Sequence, residues 1–173
     1  MIARLLLLTA LLITAAVVQT ALLPAVGITG IRPDLLLLVV VAVALHDGAL
    51  GGLRVGFAAG LLTDLLVLQA PAGLATLVWA TVGFTIGSAR PYLASDSLSA
   101  PILIAFASAL LATFGYGLLT LLLGEERGSP ILLFQGSVGV AVASTLVAPL
   151  VLPVVRRLLD RHPPRGAPVD EDA

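Results

Sequence analysis

A chain of 173 residues that is 59% hydrophobic and only 11% charged, with a mean hydropathy of +1.12, cannot hide its apolar surface from water, and a soluble domain is excluded. It has no cysteine, which rules out disulfides, thiolate metal sites and cysteine nucleophiles. All nine basic residues are arginine and the net charge is −1, a sum that matters less in a membrane protein than where the charges fall.

A helix needs about 20 apolar residues to cross about 30 Å of hydrocarbon. Six runs qualify as candidates, at about 5–23, 34–46, 49–68, 73–89, 100–123 and 131–155, joined by short connections into one membrane domain over 1–161. The expected fold class is therefore an all-α integral membrane protein with six transmembrane helices. Arg4 ahead of the first run gives it the look of a signal peptide, but five more runs follow and no clean small-x-small cleavage site precedes Pro24. It is read as a retained first helix.

The second run opens with "IRPDLLLL". Pro33 suits the first turn of a helix, where its missing N–H has no intrahelical partner, and Asp34 then sits at the positive end of the helix dipole. Only 12 residues separate Asp34 from Asp47, about 18 Å of helical rise, so the run either crosses as a short span or re-enters. Arginine placement favours crossing. With six spans and a cytoplasmic N-terminus, Arg4, Arg54, Arg90, Arg156, Arg157, Arg161 and Arg165 fall on the cytoplasmic side, leaving only Arg32 and Arg127 outside. Removing the second span would move the four C-terminal arginines outside, against the positive-inside rule. Both termini are expected in the cytoplasm. His46 and Asp47, at the turn that follows, are expected to be solvated.

The third run, "GALGGLRVGFAAGLLTDLL", places Gly48, Gly52, Gly56, Gly60 and Asp64 four residues apart, hence on one helix face. Such a line removes the side chains that would hold a neighbour away, and helices in lipid associate through close packing. The third span is expected to be the central helix, with another helix, of this chain or of a partner, seated in its groove. A carboxylate even partly in hydrocarbon costs about 2–3 kcal/mol unless it is paired or reaches water. Arg32 lies at a similar depth on the outer side, so an Arg32–Asp64 pair is expected, with a structural and a binding role both open to Asp64. Arg54, in the same span, can snorkel to the headgroups.

Further along, Glu125, Glu126 and Arg127 read as a solvated outer turn. In the sixth run Gln135, Gly136, Gly139 and Ala143 offer a packing face, and Pro149 and Pro153 are expected to bend the helix or end its regular hydrogen bonding. Residues 162–173, "HPPRGAPVDEDA", read as a disordered tail. No catalytic residues, metal ligands or cofactor are assigned. The two histidines sit at a turn and in the tail, no cluster has ligand spacing, and no phosphate-binding glycine loop or dinucleotide fingerprint is present.

Taken together, "RPDLLLLVVVAVAL", "GLRVGFAAGLLTDLL" and the "PAGL" that follows resemble the MreD family of rod shape-determining proteins. The family's R-P-D-L segment falls on Arg32, Pro33 and Asp34, its G-x-x-x-G-x-x-x-D core on Gly56, Gly60 and Asp64, and its P-x-G turn on Pro71 and Gly73. Ala72 stands where leucine is common, and Gly48 and Gly52 extend the line beyond the family core. The resemblance implies a non-enzymatic membrane scaffold of the cell-elongation machinery, working with an MreC-like protein, the actin-like MreB and peptidoglycan synthases, among membrane lipids and with no nucleic acid. It also implies a fold similar to the substrate-binding subunits of energy-coupling-factor transporters. That kinship supplies the alternative, a vitamin-type small-molecule binder, which would want polar and aromatic groups at its outer loops. Those loops offer Arg32, Gln69, Glu125, Glu126 and Arg127 but no tyrosine or tryptophan, which favours the scaffold.

Overall fold

The structure, a computed structural model, describes residues 2–22, 32–66, 73–92, 99–124 and 130–161. Among them all regular structure is helical. The elements are α1 (Ile2–Val17) with a π-helical turn over Val18–Leu22, α2 (Leu35–Asp47), α3 (Ala49–Leu66), α4 (Leu74–Ala89) with a 3-10 turn over Arg90–Tyr92, α5 (Ser99–Leu122) and α6 (Pro130–Asp160). Four stretches are long and apolar enough to cross a membrane: Ile2–Ala21, Ala49–Leu66, Ala100–Leu122 and Ile131–Asp160. At 13 residues α2 is shorter, about 20 Å long. The expectations for Gln69, Pro71, Glu125, Glu126, Arg127 and the tail 162–173 lie outside the described residues.

The central helix is α2, a correction to the expectation that the glycine-lined third span would hold that place. Every residue from Leu35 to Ala44 is buried, and α2 touches each of the other five helices. A helix that is apolar all round has no face to offer to a polar medium and is stable when enclosed. By contrast α3 is two-sided. Gly52, Val55, Gly56, Ala59 and Gly60 are buried, while Leu50, Leu53, Phe57, Leu61 and Leu65 are exposed. Glycine spacing marks one close contact; it does not mark the hub.

Two antiparallel hairpins wrap α2. The α3–α4 pair is described with the candidate site. In the α5–α6 pair Gly117 approaches Leu133, and the rings of Phe114 and Phe134 meet edge to face at 6.1 Å. Ser137, Ala141, Ser144, Ala148, Leu152, Val155 and Leu159 form the buried line of α6. That line replaces the expected face through Gly136 and Ala143: Gln135 and Gly136 are exposed, and open space surrounds Gly136. The helix runs on through Pro149 and Pro153 to Asp160, past the expected end at 155. Most peripheral of the helices, α1 packs on α2 and α3, burying Leu12, Ala15 and Ala16.

Candidate functional site

The glycine line of α3 is filled by α4 of the same chain. A Cβ added at Gly52 would fall within 3.0 Å of the Gly83 backbone, one at Gly56 within 3.0 Å of the Trp79 backbone, and one at Gly60 within 3.0 Å of Ala75 and Thr76 backbone atoms. These partners run backwards along α4 as the glycines run forwards, so the pair is antiparallel, with backbone against backbone. The complement is small as well, since Gly83 and Gly87 have no room for a Cβ against the backbone of Gly52 and of Gly48. Gly48 itself precedes α3. It is the C-cap of α2, with φ +79 and its N–H donating to Ala44 O at 3.0 Å, so its role is a left-handed turn rather than a rung of the helical line.

Asp64 closes the groove as a cap, and the expected Arg32–Asp64 pair is corrected here. The first residue of the α4 turn, Gly73, has φ +98 and no side chain to cap with. Asp64, from the last turn of α3, does that work in its place. Its carboxylate accepts from the backbone N–H groups of Gly73 (3.0 Å), Ala75 (3.1 Å) and Thr76 (3.0 Å) and from the Thr76 hydroxyl (2.6 Å). Three of the otherwise orphaned donors of the helix start are thereby satisfied, and the negative charge faces the positive end of the helix dipole. Arg32 is exposed and forms no ion pair among the described residues. Similar depth does not make the two partners; nearer donors take the carboxylate.

Asp34 caps α2 in a buried polar layer. Its Oδ1 accepts from Leu37 N at 3.0 Å, while its own N–H donates to the Ser144 hydroxyl at 2.9 Å. Gln19 Oε1 accepts from Leu35 N at 2.9 Å and Leu36 N at 3.2 Å. Three helices thus serve the backbone groups of the hub's first turn. Sequence reading missed Gln19 and Ser144. Gln19 carried a signal, as an amide in an otherwise apolar run, but the π-helical turn that holds it left none.

The opposite end of α2 also carries a cluster, so the expectation that His46 and Asp47 are solvated is corrected. Arg4 of α1 donates to both carboxylate oxygens of Asp47. His46 lies between two acids, Nδ1 2.7 Å from Asp47 Oδ1 and Nε2 3.0 Å from Asp160 Oδ1. Asp47 and Arg4 are mostly buried in these contacts, which tie α1, α2 and α6 together. Around this end, Arg54, Arg90, Arg156, Arg157 and Arg161 are exposed.

Two clefts open between helices. One, of about 480 Å³, is lined by Ala100, Ile102, Leu103, Phe106 and Thr145; the other, of about 360 Å³, lies between α4 and α5 beside Thr81, Thr85 and Ser108. Their hydroxyls donate to carbonyls of their own helices. Among the described residues no group of His, Asp and Glu side chains is arranged to hold a metal ion.

The family model of the rod shape-determining protein MreD matches residues 1–160, which takes in all six helices. The chain belongs to the MreD family. No curated protein and no solved structure matches it, so a likeness to energy-coupling-factor subunits rests on the family resemblance alone. Membership in the MreD family makes the chain a membrane protein of the rod shape-determining class. In MreD terms, Asp34 and Asp64 each satisfy a helix N-terminus, and Gly56 and Gly60 bring two backbones into contact.

Proposed function

We propose that the chain is a non-enzymatic scaffold subunit of the bacterial cell-elongation machinery. In this reading it spans the inner membrane with both termini in the cytoplasm, binds an MreC-like protein, and helps to organise lateral peptidoglycan synthesis alongside MreB and the wall synthases. One observation carries the reading beyond family membership: among the described residues, the polar side chains of the bundle are committed to one another or to its own backbone. Asp64, Asp34, Gln19 and Ser144 all hold helix starts. A protein built this way presents shape, in the form of apolar outward faces, rather than reactive groups.

The glycine groove being occupied from within, partner helices are left to the exposed apolar side chains of the α3–α4 hairpin, Leu50, Phe57 and Leu61 on α3 and Leu77 and Phe84 on α4. Neither cleft gathers charged groups to orient a small molecule, which weighs against the vitamin-type alternative. The test is a mild-detergent pull-down of the tagged chain from its native membrane, with partners identified by mass spectrometry. Recovery of an MreC-like protein and wall synthases is expected. Recovery of paired ATPases with a coupling membrane subunit would instead make it a transporter component.

A further inference from the structure

We propose that the cleft between α5 and α6 is a binding site for an anionic phospholipid, with an acyl chain in the cleft and the headgroup phosphate on Arg156. The argument starts from where the cleft lies. Gly87, near the end of α4, packs on Gly48, beside the cluster that joins Arg4, His46, Asp47 and Asp160. Since α5 runs antiparallel to α6, with Gly117 near Leu133, the start of α5 lies at this same arginine-rich end of the bundle. The cleft, lined by Ala100, Ile102, Leu103 and Phe106 of α5 and Thr145 of α6, is therefore in the half of the membrane nearest these charges.

Its lining suits hydrocarbon. The one polar group, the Thr145 hydroxyl, donates to Ala141 O at 2.7 Å and so has no hydrogen to offer a ligand. Arg156 follows Thr145 by eleven residues, which on an α-helix is three turns and about 20°, so it stands on the same face of α6. The separation along the axis is about 16 Å, close to half the roughly 30 Å hydrocarbon thickness, as the distance from a headgroup to the end of its chain requires. Arg156 is also free to take a phosphate. The acid one turn further on, Asp160, is turned to His46 at 3.0 Å, and Arg156 forms no ion pair among the described residues. An uncompensated guanidinium on the helix face that leads out of an apolar cleft, about 16 Å along the axis from its Thr145, matches a lipid with a negative headgroup, to which Arg offers paired donors.

The experiment uses the full chain purified in mild detergent, titrated with phosphatidylglycerol or with phosphatidylcholine of the same acyl chains, and read by native mass spectrometry. The wild type is expected to retain phosphatidylglycerol about fivefold better, the equivalent of about 1 kcal/mol for one basic residue at a membrane surface. Arg156→Gln should abolish that preference, whereas Arg54→Gln, on α3, should keep it. Ala100→Leu, which narrows the cleft, should reduce retention of both lipids, and Thr145→Leu does the same if Ala100→Leu fails to fold. Equal retention of the two lipids by the wild type would overturn the proposal, as would a preference that survives Arg156→Gln or falls equally with Arg54→Gln. So would unchanged retention in a folded cleft variant. Glycerol phosphate alone should not displace the lipid; if it does, the headgroup site exists without the cleft and the assignment to phospholipid fails.

Discussion

Asp64 and Arg32 lie at similar depth in the sequence reading but have unequal duties. Replacing Asp64 by Ala strips the α4 start of its acceptor and should cost about 1–2 kcal/mol in a detergent-based unfolding titration, whereas Arg32→Ala, which breaks no contact among the described residues, should stay within about 0.5 kcal/mol. The double variant should be additive, because the two side chains are not partners. Gln19→Leu should cost more, about 2 kcal/mol or above, because it leaves the buried N–H groups of Leu35 and Leu36 without their acceptor. Which residues were chemically unusual could be read from the sequence, since an acid or amide stands out in an apolar run. Their partners could not. Asp64 looks to Thr76 and Gly73 because a helix start brought close by packing offers three aligned donors, and nothing in the spacing of the chain reports that.

At the scale of elements, hydropathy shows the helices because each apolar run must fold its own backbone hydrogen bonds away from lipid. It does not rank them by burial. The run "LLLLVVVAVAL" gave a hint, being apolar on every side, but its shortness pointed equally to a re-entrant segment. The glycine line marks α3, although a groove implies only one close neighbour. That neighbour, α4, carries its own small residues at Gly83 and Gly87, and the two lines together set how near the backbones come. Leucine at Gly56 has nowhere to go except into the Trp79 backbone, so Gly56→Leu should yield no folded monomer by size-exclusion chromatography. Gly115, in mid-α5, has open space around its Cα, and Gly115→Ala should raise stability by about 0.5–1 kcal/mol through helix propensity. The contrast separates glycines that a contact requires from glycines that a membrane helix merely tolerates.

For the whole molecule, the hub is held at both ends of α2. At one end Asp34, Gln19 and Ser144 satisfy its first turn; at the other Arg4, His46, Asp47 and Asp160 join three helices. Among the described residues both ends of the hub are thus satisfied within one chain, as the proposed scaffold requires if partners are to attach to its outside without rebuilding its core. This is where the family resemblance and the physics meet: the motif residues Asp34, Gly56, Gly60 and Asp64 are caps and contact points, and in the proposed scaffold the partners fall to the surfaces they support. The most direct test is to deplete the chain in the bacterium that carries it and to image cell width together with sites of new wall insertion. Loss of rod shape with dispersed lateral insertion is the result this account predicts. Unchanged shape and insertion, accompanied by loss of uptake of a small molecule, would contradict it.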